Sequence, residues 1–116
     1  MKIKKELVER ILEISKEAYP NEVAGILLNN PASDFVLMPG EFSNYHVYVK
    51  MNLIPIYPNL IGTFHSHPTS NNHASQADLN FFTKLGREHL IIGYPYVLNS
   101  IAVYKSNGEK SELVVI

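Results

Sequence analysis

The chain has 116 residues, of which 46% are hydrophobic and 18% are charged, and its ten Lys and Arg against eleven Asp and Glu give a net charge of −1. This composition excludes an intrinsically disordered chain, and the lack of a basic excess argues against general nucleic-acid binding. The absence of Cys excludes disulfides, thiolate nucleophiles and zinc or iron–sulfur sites with Cys ligands.

The N-terminal residues Lys2, Lys4 and Lys5 are followed by further charges rather than by a continuous apolar run. This pattern predicts neither a secretory signal nor a membrane span, so we expect a cytoplasmic protein. A chain of this length can bury one sizeable core but not two. We therefore expect a single domain over residues 1–116.

The first predicted element is an amphipathic helix over residues 6–19. Its apolar residues recur at three- and four-residue spacing, and charged residues occupy the other face. These apolar residues are Leu7, Ile11, Ile14 and Ala18. Pro20 helps to end the helix.

Strands are predicted after this helix. Glu22 leads into the continuous apolar run 23–28, which has the length of a strand and is closed by the turn-forming residues 29–34. Residues 35–38 are predicted to be its hairpin partner, and residues 45–49 a further strand.

The second half of the chain mixes one helix with several strands. A short strand over residues 60–64 leads into His65, and residues 76–85 have helical spacing that ends near Gly86. The remaining predicted strands cover residues 90–92, 96–98, 101–104 and 112–116, with a hairpin turn at Asn107 and Gly108 between the last two. The chain is therefore predicted to be an α/β domain, with a mixed β-sheet flanked by helices.

The central part of the sequence concentrates residues that can bind a metal. Between residues 51 and 83 the only formally charged side chain is Asp78, while three of the five His lie in the same stretch. Imidazole and carboxylate groups are the ligands that zinc accepts without thiolates, and three of them leave a fourth position for water. His65 and His67, two residues apart on an extended segment, point to the same side. Together with Asp78 they resemble a ligand set.

Each of these residues also has a simpler interpretation. Ser75 and Asp78 have the spacing of a helix N-cap and an acidic residue in the first turn. His65 and His67 taken alone are compatible with exposed or hydrogen-bonded loop residues. A glutamate that follows a helix, as Glu22 does, is usually solvated.

The other three His are assigned no ligand role. His73 lies in the loop between the predicted strand and helix, and we expect it to be exposed because three ligands already suffice. His46 and His89 lie at the edges of predicted elements, and we interpret both as structural.

The full pattern resembles the JAMM motif of the MPN+ metalloproteases. It consists of His65-Ser66-His67, seven further residues, Ser75, two residues and Asp78, with Glu22 upstream. Residues 22–27 resemble the strand that carries the glutamate of the family, and a Gly before the histidines and a Pro after them also match. The order of helix, glutamate strand, histidine strand, helix and strands covers nearly the whole chain.

The resemblance implies a cytidine-deaminase-like α/β fold and a role for each motif residue. His65, His67 and Asp78 would bind one zinc ion, with water at the fourth position. Glu22 would act as general base and then general acid, and Ser75 would help to stabilise the oxyanion. The implied substrate is an amide bond at the C-terminus of a ubiquitin-like or sulfur-carrier protein with a β-grasp fold.

Two features bear on the partner. Thr63 occupies a position where many relatives have Trp, which affects the packing behind the zinc or the groove beside it. The apolar segment 53–61, interrupted by Pro55 and Pro58, is either a wall or flap for the partner or a covered connection. We expect specificity to come from a substrate tail in a groove or from a second copy of the chain, that is, a homo-oligomer.

Two other functions are compatible with the resemblance. A non-catalytic MPN-type scaffold would use the sheet to bind proteins, but such members generally lack some of the ligands that this chain retains. A DNA-repair accessory protein is disfavoured because the sequence has no basic patch. No nucleic-acid or membrane partner is expected.

Overall fold

A computed structural model gives the structure of the chain and describes residues 1–38, 40–42, 47–49, 57–82 and 84–116, with only the backbone described for residues 40–42, 47–49 and 82. His46, the first two residues of the strand predicted over 45–49 and residues 53–56 of the Pro-containing segment lie outside these ranges.

Two α-helices and ten strands are found in the described ranges. The helices are α1 (Lys5–Ala18) and α2 (Gln76–Phe82). The strands are β1 (Lys2–Ile3), β2 (Ala24–Leu28), β3 (Asp34–Leu37), β4 (Gly40–Phe42), β5 (Val47–Val49), β6 (Leu60–Ser66), β7 (Glu88–Ile92), β8 (Ile101–Lys105), β9 (Lys110–Ser111) and β10 (Val114–Val115).

Six strands form a mixed sheet in the order β3-β2-β6-β7-β8-β9. Strands β6 and β7 are parallel and the connection between them contains α2, whereas the other neighbouring strands are antiparallel. The predicted mixed sheet with flanking helices is confirmed. Strand β6 is central, and its residues 61–66 are all buried, as expected for a strand covered on both faces.

The core lies on both faces of this sheet. On one face, Ile11 of α1 belongs to the same cluster as Leu27 of β2 and Phe64 of β6. On the other face, Ile26 of β2 belongs to a cluster that contacts Phe81 of α2. Leu27 and Ile26 are chain neighbours in different clusters because successive side chains of a strand point to opposite faces.

Several predicted elements agree closely with the structure. Helix α1 begins and ends within one residue of the prediction, and β2 and β3 form the predicted hairpin. Strand β6 extends two residues beyond the predicted range 60–64, so His65 lies within the strand and not after it.

The strand predicted over residues 96–98 is wrong. Tyr96 has a φ of 63°, and its backbone N–H donates to the carbonyl of Gly93 in a turn. A 3-10 turn, Leu98–Ser100, follows. The short apolar run resembled a strand, but a left-handed residue cannot continue an extended chain.

The last predicted strand is also wrong in its extent and its partner. After the turn at Asn107 and Gly108, β8 pairs with Lys110–Ser111 and not with residues 112–116. Val114–Val115 instead pairs in parallel with Lys2–Ile3, at the other end of the chain. Two-residue strands have no periodic pattern, which is why β1 was not predicted.

In the part of the chain that the structure describes, neither helix is long and apolar enough to cross a lipid bilayer.

Candidate metal centre

The end of strand β6 is fixed from both sides. The backbone N–H of Ser66 donates to the carbonyl of Val23 at 2.9 Å, and the Ser66 Oγ accepts the N–H of Val23 at 3.0 Å. On the other side, the N–H of His67 donates to the carbonyl of Ile92 on β7 at 2.8 Å. His65 and His67 therefore project from a backbone that two neighbouring segments hold.

The ring of His67 has a defined tautomer. Its Nδ1 lies 2.7 Å from the backbone carbonyl of Asn71. Since a carbonyl can only accept, Nδ1 carries a proton, which leaves Nε2 as the nitrogen that can bind a metal when the ring is neutral. A metal-binding His is commonly oriented in this way.

Asp78 reaches the same point from helix α2. The N–H of Asp78 donates to the Oγ of Ser75 at 3.1 Å, and the N–H of Ser75 donates to the Oδ2 of Asp78 at 2.8 Å. This reciprocal pair caps the first turn of the helix. The helix-cap interpretation of these two residues is therefore correct, and the cap also orients the carboxylate of Asp78.

The three side chains converge. The Nε2 of His65 lies 3.1 Å from the Oδ1 of Asp78 and 3.2 Å from the Nε2 of His67, which in turn lies 3.7 Å from the Oδ2 of Asp78. Tetrahedral zinc with bonds of about 2.0–2.1 Å separates its ligand atoms by about 3.3 Å. The three residues form a candidate metal-binding group, and its size and donor types fit zinc.

The carboxyl group of Asp78 is stabilised in its charged form. Burial alone raises its pKa, but the hydrogen bond and charge of His65 and the hydrogen bonds from Ser75 outweigh burial and lower the pKa from 3.8 to about 2. Asp78 is therefore ionised at neutral pH, and its negatively charged oxygen could serve as a metal ligand.

Glu22 and Ser75 lie beside this group but not in it. Glu22 is half-buried and precedes Val23, whose backbone is bonded to Ser66 between the two His. Ser75 is exposed at the N-terminus of α2. The structure thus brings all five residues of the motif to one end of the sheet.

The remaining described His are placed apart from this group. His73 is exposed in the loop, as expected. His89 is fully buried, with Nδ1 2.7 Å from the Oγ1 of Thr63 and Nε2 2.9 Å from the Oγ of Ser106. Ser106 donates to the carbonyl of Gly86, so it accepts from Nε2–H, and Thr63 donates to Nδ1. Thr63 thus bonds to His89 through its hydroxyl, a group that Trp does not have.

Sequence reasoning missed one residue at the centre. Tyr96 is buried, and its hydroxyl donates to the backbone carbonyl of His67 at 3.0 Å. Burial raises the pKa of Tyr96, and nearby Tyr19, Glu22 and Tyr94 raise it further. Pro95 between two tyrosines was the available signal of a turn at this place.

Comparisons with known proteins are consistent with this geometry. The family model described as prokaryotic homologues of the JAB domain matches residues 4–106. A Haloferax volcanii protein named "Probable metalloprotease" is 34% identical, over 90% of this chain and 73% of its own length.

Two solved structures are similar over the whole chain. One, described as a metalloprotease-like zinc site, JAMM, in the proteasome and signalosome, is 34% identical with a TM-score of 0.77, covering 100% of this chain and 97% of its own. The other is a JAB1/MPN domain protein from Archaeoglobus fulgidus, 32% identical with a TM-score of 0.79, covering 100% of this chain and 99% of its own.

Proposed function

Since the chain belongs to the family of prokaryotic homologues of the JAB domain, we propose that it is a zinc-dependent peptidase or isopeptidase. Its substrate would be an amide bond at the C-terminus of a ubiquitin-like or sulfur-carrier protein with a β-grasp fold. The observation that carries this proposal is the convergence of His65, His67 and Asp78 within the ligand distances of one zinc ion.

The metal would be held by the Nε2 atoms of His65 and His67 and a carboxylate oxygen of Asp78. Zinc in such a site supplies Lewis acidity and lowers the pKa of water from about 15.7 toward about 7, which makes a nucleophile available at neutral pH. Asp78 would balance part of the charge of the ion, and the hydrogen bond from His67 to Asn71 would keep that ring oriented.

We assign Glu22 the role of proton carrier. It precedes Val23, whose N–H bonds to Ser66 between the two His. Its carboxylate would take the proton from the attacking water and deliver it to the departing amine nitrogen as the C–N bond breaks. A positioned general acid–base group of this kind contributes about 10²–10⁴ in rate.

The hydroxyl of Ser75 can donate a hydrogen bond to the substrate. Its Oγ already accepts the N–H of Asp78, so its hydroxyl hydrogen is the part that can donate. We assign that hydrogen to the oxygen of the substrate carbonyl as negative charge develops there. Loss of one such donor typically costs about 10²–10³ in rate.

The free edge of the sheet supports a substrate with an extended tail. Among the described residues, β3 is an edge strand, and its Leu37 is 49% exposed. Leu37 pairs with Gly25, three residues after Glu22, so this edge reaches the end of the sheet where the motif lies. An extended peptide can add to such an edge as a further strand.

Metal analysis and hydrolysis of a C-terminally extended β-grasp fusion test the proposal in one protein preparation. We expect one zinc per chain, and Glu22→Gln should keep the zinc while losing at least about 10²-fold in hydrolysis. Glu109→Gln, at the exposed turn after β8, is the matched control and should behave like the wild type.

Two results would contradict the proposal. The first is protein that contains no zinc when purified without chelator and takes none up on addition. The second is Glu22→Gln protein that hydrolyses the fusion at the wild-type rate, which would remove Glu22 from the assigned role.

A further inference from the structure

We propose that Tyr96 is a positioning residue of the metal centre, whose hydroxyl holds the backbone of His67 so that its Nε2 faces the other two ligands. This inference rests on the proposed zinc site but not on the identity of the substrate. It concerns a residue outside the motif, separated from His67 by 29 positions in the chain.

The hydrogen bond joins a buried tyrosine to a half-buried histidine. Tyr96 is 2% exposed, and its hydroxyl lies 3.0 Å from the carbonyl oxygen of His67. That carbonyl belongs to the first residue after β6. Because Tyr96 is buried, its hydroxyl depends on this carbonyl for a hydrogen-bond partner.

His67 is restrained at three places, one of which is Tyr96. Its N–H donates to Ile92, its Nδ1–H donates to Asn71, and its carbonyl accepts from Tyr96. The first bond fixes the peptide before His67, the last fixes the peptide after it, and the second fixes the ring. With the Tyr96 hydroxyl removed, the peptide after His67 can rotate while strand β6 stays paired.

The turn that carries Tyr96 is docked on the loop that follows His67. The N–H of Tyr94 donates to the carbonyl of Thr69 at 2.8 Å. A methyl group at Gly93 would lie 3.1–3.2 Å from the carbonyl oxygens of Ser70 and Thr69, so the two backbones are in close contact. Tyr96 itself has a φ of 63°, a conformation that residues other than glycine keep only when their surroundings impose it.

Two further aromatic rings fix the orientation of the Tyr96 ring. The ring centroid of Tyr96 lies 6.1 Å from that of Tyr19 and 5.8 Å from that of Tyr94, both in edge-to-face geometry. Such contacts favour one orientation of the ring. The hydroxyl is therefore aimed at His67 by packing that does not depend on the hydroxyl itself.

Tyr104 of β8 provides a matched control, because its hydroxyl bonds to the same loop. It is also buried, at 4% exposure, and its hydroxyl donates to the carbonyl of Asn72 at 3.3 Å. Tyr104→Phe and Tyr96→Phe each remove one buried phenol hydroxyl that bonds to a loop carbonyl. They differ in that the Tyr96 hydroxyl bonds to a residue of the ligand group.

The test compares these two variants by zinc affinity, measured by competition with a chromogenic chelator, and by the visible spectrum of the Co²⁺-substituted proteins. We expect Tyr96→Phe to weaken zinc binding about tenfold and to alter the Co²⁺ spectrum. Tyr104→Phe should leave both within twofold of the wild type. The melting temperatures of the chelator-treated variants should fall by similar amounts.

Three outcomes would overturn the inference. Zinc affinity of Tyr96→Phe within twofold of the wild type, or equal losses in the two variants, would make the hydroxyl a structural group only. A Tyr96→Phe protein that fails to fold while Tyr104→Phe folds would assign the hydroxyl to the fold as a whole. Wild-type protein that binds zinc but cleaves no β-grasp fusion would contradict the proposed function and leave this inference standing.

Discussion

The two His and the Asp of the candidate metal centre are held in different ways. We call the end of the buried central strand β6, with His65, Ser66 and His67, the strand arm. We call the N-terminus of α2, with Ser75 and Asp78, the helix arm. The strand arm is fixed by bonds to Val23 and Ile92, far away in the sequence, whereas the helix arm is fixed by Ser75, three residues before Asp78.

This difference indicates which ligands depend on the whole fold. The strand arm exists only when β2, β6 and β7 are paired, so its position is a property of the sheet. The helix arm carries its own cap, and a disturbance there should remain local. Substitutions in the strand arm should therefore lower both metal affinity and folding stability. Substitutions in the helix arm should lower mainly metal affinity.

The largest expected effect is deletion of a ligand from either arm. His65→Ala and Asp78→Ala should each lower zinc affinity by more than the 10- to 100-fold typical of losing a residue that only supports a ligand. His65→Ala should lower the unfolding free energy of chelator-treated protein more than Asp78→Ala does, because His65 is 6% exposed within β6. Chelator competition and denaturant titration measure the two quantities.

His73→Ala is the control for this pair, since His73 is exposed in the loop between the arms. It should bind zinc like the wild type. Equal losses of stability in His65→Ala and Asp78→Ala would show that the arms are not independent.

A smaller difference in unfolding free energy is expected when one serine in each arm is replaced. Ser66→Ala removes the buried acceptor of the Val23 N–H, and leaving such a group unbonded costs about 1–3 kcal/mol. Ser75→Ala removes an exposed helix cap, which costs about 1 kcal/mol. Urea unfolding of the chelator-treated variants gives both values, and a larger loss for Ser75→Ala would reverse the comparison.

The acid sensitivity of the helix arm is the smallest effect as long as the pH stays above about 4. Because the pKa of Asp78 is lowered to about 2 in the folded chain, its ionised form adds stability above the unfolded pKa, and this is lost as the pH falls toward 2. Between neutral pH and pH 4 the loss should be only about a few tenths of a kcal/mol.

Chelator-treated wild-type and Asp78→Asn proteins reveal this contribution in urea titrations from pH 6 to pH 2. The difference between their unfolding free energies should narrow as the pH falls from about 4 to about 2. Asp34→Asn, which changes an exposed carboxylate with 58% of its side chain accessible, is the matched control. A gap that stays constant across this range would contradict the expected shift.

The parts of the fold that the sequence predicts are those set by local pattern. The periodic apolar residues gave α1 within one residue of its ends, and the continuous apolar run gave β2. The convergence of the candidate ligands is predictable for the same reason. His65 and His67 share a side of one strand, and Ser75 and Asp78 share one helical turn, so two local rules and one family motif were enough.

The parts that were missed depend on contacts between distant segments. Tyr96 was placed in a strand because its neighbours are apolar, yet its position follows from docking on the loop after His67. The pairing of Thr63 with His89 depends on the parallel register of β6 and β7, which places them opposite each other. No local pattern specifies which residues meet across a sheet.

The pairing of β1 with β10 places the first and last strands of the chain side by side. The N–H of Val114 donates to the carbonyl of Met1, and the N-terminal ammonium lies 3.4 Å from a carboxylate oxygen of Glu88. Glu88 begins β7, and Ile92, which holds His67, ends it, about 13 Å away along the strand. A tag or domain attached to the exposed Ile116 would therefore emerge near the end of β7 opposite the ligand group, whereas one attached to Met1 would disturb the buried ammonium that bonds to Glu88 and Glu112.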